Sequence, residues 1–408
     1  MKQLQILFAF FFMTQMIAQA QSPSVKAGWV TTWSTSQQLV EPNNMPPAPG
    51  LTGNTLRQIV RVSIGGDLLK LRFSNVFSEQ PVTLESVAIA VSRADHLIDP
   101  STQKILAFGG KSSVTIPAGS EIYSDSIAFN LVPDTRLAIT IHFGETSPTV
   151  TGHPGSRTTS FILEGDKIRS GDFSGAVKTD HWYVIQGIDV KTTSEAAAIV
   201  ALGNSITDGR GSGTNKQNRW TDILSERLLN NPQTKQYSVL NAGLGGNCVL
   251  RGGLGPTALA RFDRDVLSQN GVRWLIILEG INDIGGIRDS ESAPRVAGEL
   301  IDAYTLMIEK AHAHGIKVYG CTILPFAKSF YDTPFHQEAR NTVNEWIRNS
   351  GKFDAVIDFD EAMRSPGDLQ TLLPDVHTGD FLHPDEAGYK IMGEYVDLDL
   401  FNGILFNF

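Results

Sequence analysis

Ala198-Ile199-Val200-Ala201-Leu202-Gly203-Asn204-Ser205-Ile206-Thr207-Asp208-Gly209 decides how this chain is read. A short, unbroken apolar run ends at a glycine and gives way at once to polar residues, the pattern of a buried strand turning into a helix. Ser205 stands at that turn, where its hydroxyl is clear of the strand and the first helical N–H groups point toward it. By itself the segment is ambiguous, since a serine there is equally an ordinary helix N-cap.

The same alternation recurs toward the C-terminus. Further apolar strands are predicted at 238–241, 274–278, 316–322 and 355–358. Between them Trp220, Ile223, Leu224 and Leu228 share one helical face, and Val296, Leu300, Tyr304, Met307 and Ala311 another. Five strands alternating with helices predict an α/β domain, a parallel sheet covered on both faces. Such sheets take ligands at the carboxyl ends of their strands, so chemistry is sought there.

Toward the N-terminus the period changes to two. Gln58, Val60, Val62 and Ile64 alternate with Arg57, Ile59, Arg61 and Ser63, and Leu69, Leu71 and Phe73 alternate with Lys70, Arg72 and Ser74. Gly65-Gly66 between these runs predicts a two-residue hairpin turn. Leu137, Ile139, Ile141 and Phe143 repeat the pattern farther on. Strands separated by Gly, Pro and Ser imply an antiparallel β-sandwich, jelly-roll-like, over residues 26–190, ahead of the α/β domain at 195–408.

Lys2, the apolar run from Ile6 to Met13 and Ala18-Gln19-Ala20 have the layout of a cleavable secretory leader over residues 1–20. The run is shorter than the roughly 20 residues that cross a bilayer, so a membrane anchor is not expected. Without the leader, 33 basic and 43 acidic residues remain, a formal charge of −10, which argues against nucleic acid as a partner. Secretion or residence in the periplasm is the expected localisation. Cys248 and Cys321 are the only cysteines, too few for a disulfide scaffold, and are expected as free thiols.

Three further segments fall where the sheet should present ligands. Strand 238–241 runs into Gly243-Leu244-Gly245-Gly246-Asn247, a glycine cluster whose backbone N–H groups can approach a ligand unobstructed. Strand 274–278 runs into Gly280-Ile281-Asn282-Asp283, where the Asn282 amide can donate to a developing oxyanion. Asp380-Phe381-Leu382-His383 puts a carboxylate one turn before an imidazole, close enough to hold Nδ1–H and leave Nε2 free to accept a proton. Each segment alone is also an ordinary turn. Four such features in chain order on one rim of one sheet are not ordinary.

With these blocks in view, the sequence resembles the SGNH hydrolases, also called GDSL-like. Ser205 in Gly203-Asn204-Ser205 matches their nucleophile block, Gly246 the glycine block, Asn282 the asparagine block, and Asp380 with His383 the terminal Asp-x-x-His block. Many members carry Asp where this chain has Asn204. The N-terminal half resembles, less specifically, the β-rich domain that precedes the hydrolase domain in a bacterial subgroup including xylan-related acetylesterases. The resemblance implies a three-layer α/β/α, flavodoxin-like fold and a Ser205–His383–Asp380 triad. It also implies an oxyanion hole made by the N–H groups of Ser205 and Gly246 and the side chain of Asn282.

The expected activity is hydrolysis of a small O-acyl group, acetyl above all, from a carbohydrate or other small ester. A lipase, lysophospholipase, thioesterase or carbohydrate O-acetyltransferase would use the same residues, and a glycan-binding protein with a vestigial site is the non-enzymatic alternative. No His-Glu-x-x-His or Cys-x-x-Cys spacing occurs, so neither a metal nor another cofactor is expected. Asp208 and Asp283 are expected to brace loops, and His312 and His314 to close a helix. If His383 is the base, activity should fall as pH drops through roughly 6 to 7.

Overall fold

The computed structural model describes residues 28–192 and 195–402; the expected leader at 1–20 lies outside the described residues. The parallel strands are β1 (Ala197–Gly203), β2 (Tyr237–Gly243), β3 (Val272–Leu278), β4 (Lys317–Cys321) and β5 (Ala355–Ile357), hydrogen-bonded in the order β2-β1-β3-β4-β5. Gly203 is level with Gly243 on one side and Leu278 on the other, so three strands end on one rim.

The helices are α1 (Ser205–Asp208), α2 (Trp220–Leu229), α3 (Ala258–Phe262), α4 (Ile281–Gly285), α5 (Ala293–Ala313), α6 (Pro334–Asn349), α7 (Phe359–Met363) and α8 (Glu386–Tyr395). Side chains of β1 alternate between two cores. Ala198, Val200 and Leu202 pack with Leu300, Tyr304 and Met307 of α5, whereas Ala197, Ile199 and Ala201 pack with Trp220 and Leu224 of α2 and Met392 of α8. Burial on both faces is why these strands read as unbroken apolar runs. Each fully buried Leu, Ile or Val adds about 1.5–3 kcal/mol over its exposed form.

The N-terminal half is antiparallel. One sheet runs Trp29–Ser34, Ile185–Lys191, Gly66–Ser74, Ile127–Leu131; a second runs Val177–Thr179, Ser160–Leu163, Thr55–Arg61, Arg136–Phe143, Val82–Ala94, Leu97–Ile98. Leu69, Leu71 and Phe73 of the first and Leu137, Ile139 and Ile141 of the second enter one core. Ala138, pointing the other way, joins Ile59, Ala90 and Ile98 in a small cluster. The period-two reading holds. The hairpin at Gly65-Gly66 does not form, because the strands on either side belong to different sheets. Both residues are glycine for lack of room: a Cβ would meet the Leu131 carbonyl oxygen at 2.0 Å from Gly65 and that of Lys191 at 2.5 Å from Gly66.

The two halves share a continuous core, with Val30, Leu71 and Leu202 in one cluster. Strand β2 is an edge strand, and the N-terminal half caps it. Val239 donates its N–H to Ser63 Oγ (3.2 Å), which in turn donates to Val239 O (3.2 Å), and Ser238 Oγ donates to Thr31 O (2.6 Å). Backbone groups that would otherwise lie open along the sheet edge are thereby occupied.

Candidate active site

Asn204, not Ser205, caps α1: its side chain accepts the Ile206 N–H at 3.0 Å. The Ser205 hydroxyl is thus free of capping duty and lies 2.9 Å from His383 Nε2. His383 Nδ1 lies 2.6 Å from Asp380 Oδ2. The other oxygen, Oδ1, accepts the N–H groups of Leu382 (3.0 Å) and His383 (2.9 Å), which aims the carboxylate at the ring. That turn places Phe381 at φ 57°, in the left-handed region. Ser205 is 7% exposed and His383 4%, so the pair is largely removed from bulk water.

Burial would raise the Asp380 carboxyl, but the two N–H donors and the imidazole outweigh it and hold it well below the usual carboxylate range. Burial pushes His383 down from 6.5; the bond to Asp380 opposes this, and the charges of Arg210 and Arg157 reinforce it. A base must be neutral to accept a proton, so a lowered pKa keeps His383 competent into more acidic solution. The acid limb of kcat/KM against pH is therefore expected with its midpoint below 6.5. A midpoint at or above neutrality, in protein shown to be folded, contradicts that assignment.

The loops after β1, β2 and β3 are tied together from beneath by Arg261, which no motif announces. On α3 and fully buried, it donates through Nη2 to Gly203 O (2.9 Å), through Nη1 to Ala242 O (2.7 Å), Asp265 (3.0 Å) and Ser36 Oγ (3.0 Å), and through Nε to Asn247 Oδ1 (3.0 Å). Nη2 also lies 3.4 Å from Glu279, which accepts from Asn204 Nδ2 at 3.3 Å. Burial raises the Glu279 carboxyl to about 8, the Arg261 charge opposing it only in part. Asn204, the glycine loop and the asparagine loop thus hang, directly or through Glu279, on one guanidinium.

Gly246 adopts φ 66°, and its N–H meets no acceptor among the described residues. Asn282 donates through Nδ2 to Asn247 O at 2.8 Å, while its Oδ1 accepts from Tyr331 Oη at 3.1 Å, which fixes the amide's orientation and leaves its second N–H available. Gly246 and Asn282 line one groove of about 660 Å³, together with Leu250, Arg251, Arg288 and Tyr331. Asp283 braces the intervening loop by accepting the N–H groups of Val249 (2.8 Å) and Leu250 (2.9 Å).

Asp208, at the end of α1, is braced from the other half of the chain. His153 Nε2 lies 2.8 Å from Asp208 Oδ1, and its Nδ1 lies 2.8 Å from Ser36 O. The sequence marks Asp208 as a loop brace but carries no local signal for His153, its partner from the N-terminal half. Cys248 and Cys321 are both free and buried. His312 meets Asp354 at 2.8 Å near the end of α5.

The sequence model of the GDSL-like Lipase/Acylhydrolase family matches residues 201–391, a span that contains Ser205, Gly246, Asn282, Asp380 and His383. Comparison with curated proteins finds no match. Among solved structures, a lipolytic-type protein of the G-D-S-L family from Desulfitobacterium hafniense DCB-2 is 24% identical, covering 49% of this chain and 97% of that one at a TM-score of 0.38. A GDSL-like lipase from Bacteroides thetaiotaomicron is 23% identical (50% and 87% covered, TM-score 0.35). An acetylxylan esterase from Geobacillus stearothermophilus is 19% identical (49% and 93% covered, TM-score 0.38). At these scores none of the three speaks to what this chain acts on. The resemblance first read from the four blocks agrees with the family match: residues 201–391, just under half of the chain, carry a GDSL-like lipase/acylhydrolase domain.

Proposed function

We propose that this protein is a secreted serine esterase that removes small O-acyl groups, acetyl above all, from a carbohydrate through an acyl-enzyme. The observation that carries the reading is the hydrogen-bonded chain from Ser205 Oγ to His383 Nε2 and from His383 Nδ1 to Asp380. Ser205 attacks the ester carbonyl as His383 takes its proton, and Asp380 stabilises the imidazolium. The oxyanion is received by the N–H groups of Ser205 and Gly246 and by Asn282 Nδ2. His383 then protonates the departing alcohol, and water, deprotonated by the same ring, releases the acid.

The sheet order β2-β1-β3-β4-β5 supports a flavodoxin-like reading of the hydrolase domain, with the ester at the carboxyl ends of the strands. The N-terminal half we read as a jelly-roll-like sandwich. Secretion rests on the leader-like pattern of residues 1–20. The groove beside Gly246 and Asn282 suits a sugar, with Arg251, Arg288, Asp289 and Arg295 offering polar contacts and Leu250, Ile287 and Tyr331 an apolar wall for a ring face.

A series of p-nitrophenyl esters tests the reading. We expect kcat/KM to fall from acetyl to octanoyl, since a site closed near the carbonyl excludes the longer chain. A site that accepted the chain would gain about 0.8 kcal/mol per buried CH₂, and the preference would reverse. A steady rise toward octanoyl replaces the carbohydrate reading with the lipase one, and no turnover of any ester removes both. Transfer of acetyl to an added sugar in preference to water would instead mark an acetyltransferase.

A further inference from the structure

We propose that the N-terminal half takes part in the reaction through His153, a positioning residue that acts on Ser205 by way of Asp208. This rests on the esterase reading above and deepens it by giving the other half of the chain a share in placing the nucleophile.

Helix α1 is a single turn, with Ser205 at its first position and Asp208 at its last. Asp208 donates its N–H to Asn204 O at 2.8 Å, and Gly209 donates to Ser205 O at 2.9 Å, so a shift of Asp208 carries the serine with it. The turn is gripped from two sides. From β2, a Cβ at Gly243 would meet Asp208 N at 2.2 Å; from the N-terminal half, a Cβ at Gly155 would meet Asp208 Oδ2 at 2.0 Å. Only glycine lets backbone come so near.

His153 supplies the polar part of the grip. It ends the strand Thr151–His153, and its ring stacks on Trp182 with centroids 5.9 Å apart. Trp182 is itself pinned, its Nε1 donating to Ile59 O at 3.1 Å and its ring meeting Trp33 edge-on at 5.1 Å. From that base the imidazole reaches Ser36 O with Nδ1 and Asp208 Oδ1 with Nε2, each at 2.8 Å. A carbonyl oxygen only accepts, so Nδ1 carries a hydrogen, and the contact between Nε2 and Oδ1 needs a further one on either atom. Among the described residues no other group hydrogen-bonds the Asp208 carboxylate: Arg157 Nη2 stands off at 3.7 Å, and Oδ2 is buried without a partner. Without His153 a buried carboxylate would have no donor, which costs more than the bond itself contributes, and the turn would shift toward another.

Joining the halves does not require such a pair. Their apolar core is already continuous, and a buried polar pair adds little stability over apolar side chains of the same volume. The nucleophile does require it. Ser205 must present Oγ to His383 Nε2, 2.9 Å away, and its N–H to the oxyanion at once, and a misplacement of about 1 Å can cost on the order of 10²-fold in rate. Both demands are met in the transition state, so the loss should fall on kcat and leave KM nearly as it was.

The test assays the full chain on p-nitrophenyl acetate, with working sites counted by a fluorophosphonate that labels Ser205. An Asn amide nitrogen stands near the place of Nδ1 and a Gln amide nitrogen near that of Nε2, so the two substitutions keep opposite ends of the contact. His153→Asn should lower kcat per labelled site by roughly 10- to 100-fold. His153→Gln, which still donates to Asp208, should recover most of that. Asp208→Ala should lose as much as His153→Asn, and the two combined should lose no more than either alone. Unchanged kcat in His153→Asn, equal losses in His153→Asn and His153→Gln, or losses that add in the double variant overturn the inference and leave the esterase reading standing. If His153→Asn does not fold, Asp208→Ala is set against Asp208→Asn, which still accepts. A loss confined to Asp208→Ala then sustains the inference, and equal kcat in the two overturns it. An unaltered protein that turns over no ester fells the esterase reading and this one together.

Discussion

Ser205→Ala is expected to lower kcat on any ester by roughly 10⁴- to 10⁶-fold while leaving the protein folded, since removing a serine nucleophile leaves only the oxyanion donors and substrate binding to act. The structure makes this a clean substitution. The hydroxyl bonds to His383 and does not cap α1, because Asn204 holds the Ile206 N–H. Alanine keeps the helical turn and leaves no sizeable cavity. The melting temperature should therefore stay where it was, and the measurement is kcat beside a thermal unfolding curve. Turnover comparable to that of the unaltered protein, once contaminating esterase is excluded, would remove Ser205 from the mechanism.

Arg261→Met should act in the opposite manner, through stability first. Removing one partner of a buried charge network costs about 3–5 kcal/mol, because the carboxylates left behind have no water to turn to. Asp265 and Glu279 lose their shared cation, although Asp265 keeps Arg264, and the Gly203 and Ala242 carbonyls lose a donor each. The urea midpoint reports the loss. Adding Glu279→Gln should change little further, since burial already lifts that carboxyl to about 8 and loss of Arg261 lifts it higher, leaving no charge there to strand. A single variant within about 1 kcal/mol of the original would show that the hub is dispensable.

Local features were legible in the sequence. Four of the five parallel strands announce themselves because they are buried on both faces, and the serine, glycine and asparagine blocks lie at the ends of three of them. The Asp380–His383 contact spans three residues of one turn, so spacing alone suggests it. Other contacts lie beyond the reach of local pattern. Arg261 looks like any basic residue on a short helix until topology sets it beneath three strand ends. His153 meets Asp208 across 55 residues, and Arg157 joins them from a loop with no motif. Tyr331, which orients Asn282, lies 49 residues away on a different loop. Gly65-Gly66 misled for a related reason: a glycine pair reports that side chains are excluded, and a hairpin is only one cause of that.

The bonds from Ser63 and Ser238 that seal β2 also bear on how such a gene can change. Truncation ahead of residue 195 would hand the hydrolase domain a raw strand edge, an invitation to pair with a neighbouring copy. It would also strip apolar surface from a core that both halves build. The halves are therefore not independent modules in this chain: the hydrolase domain has its β2 edge covered and its core filled only with the N-terminal half in place.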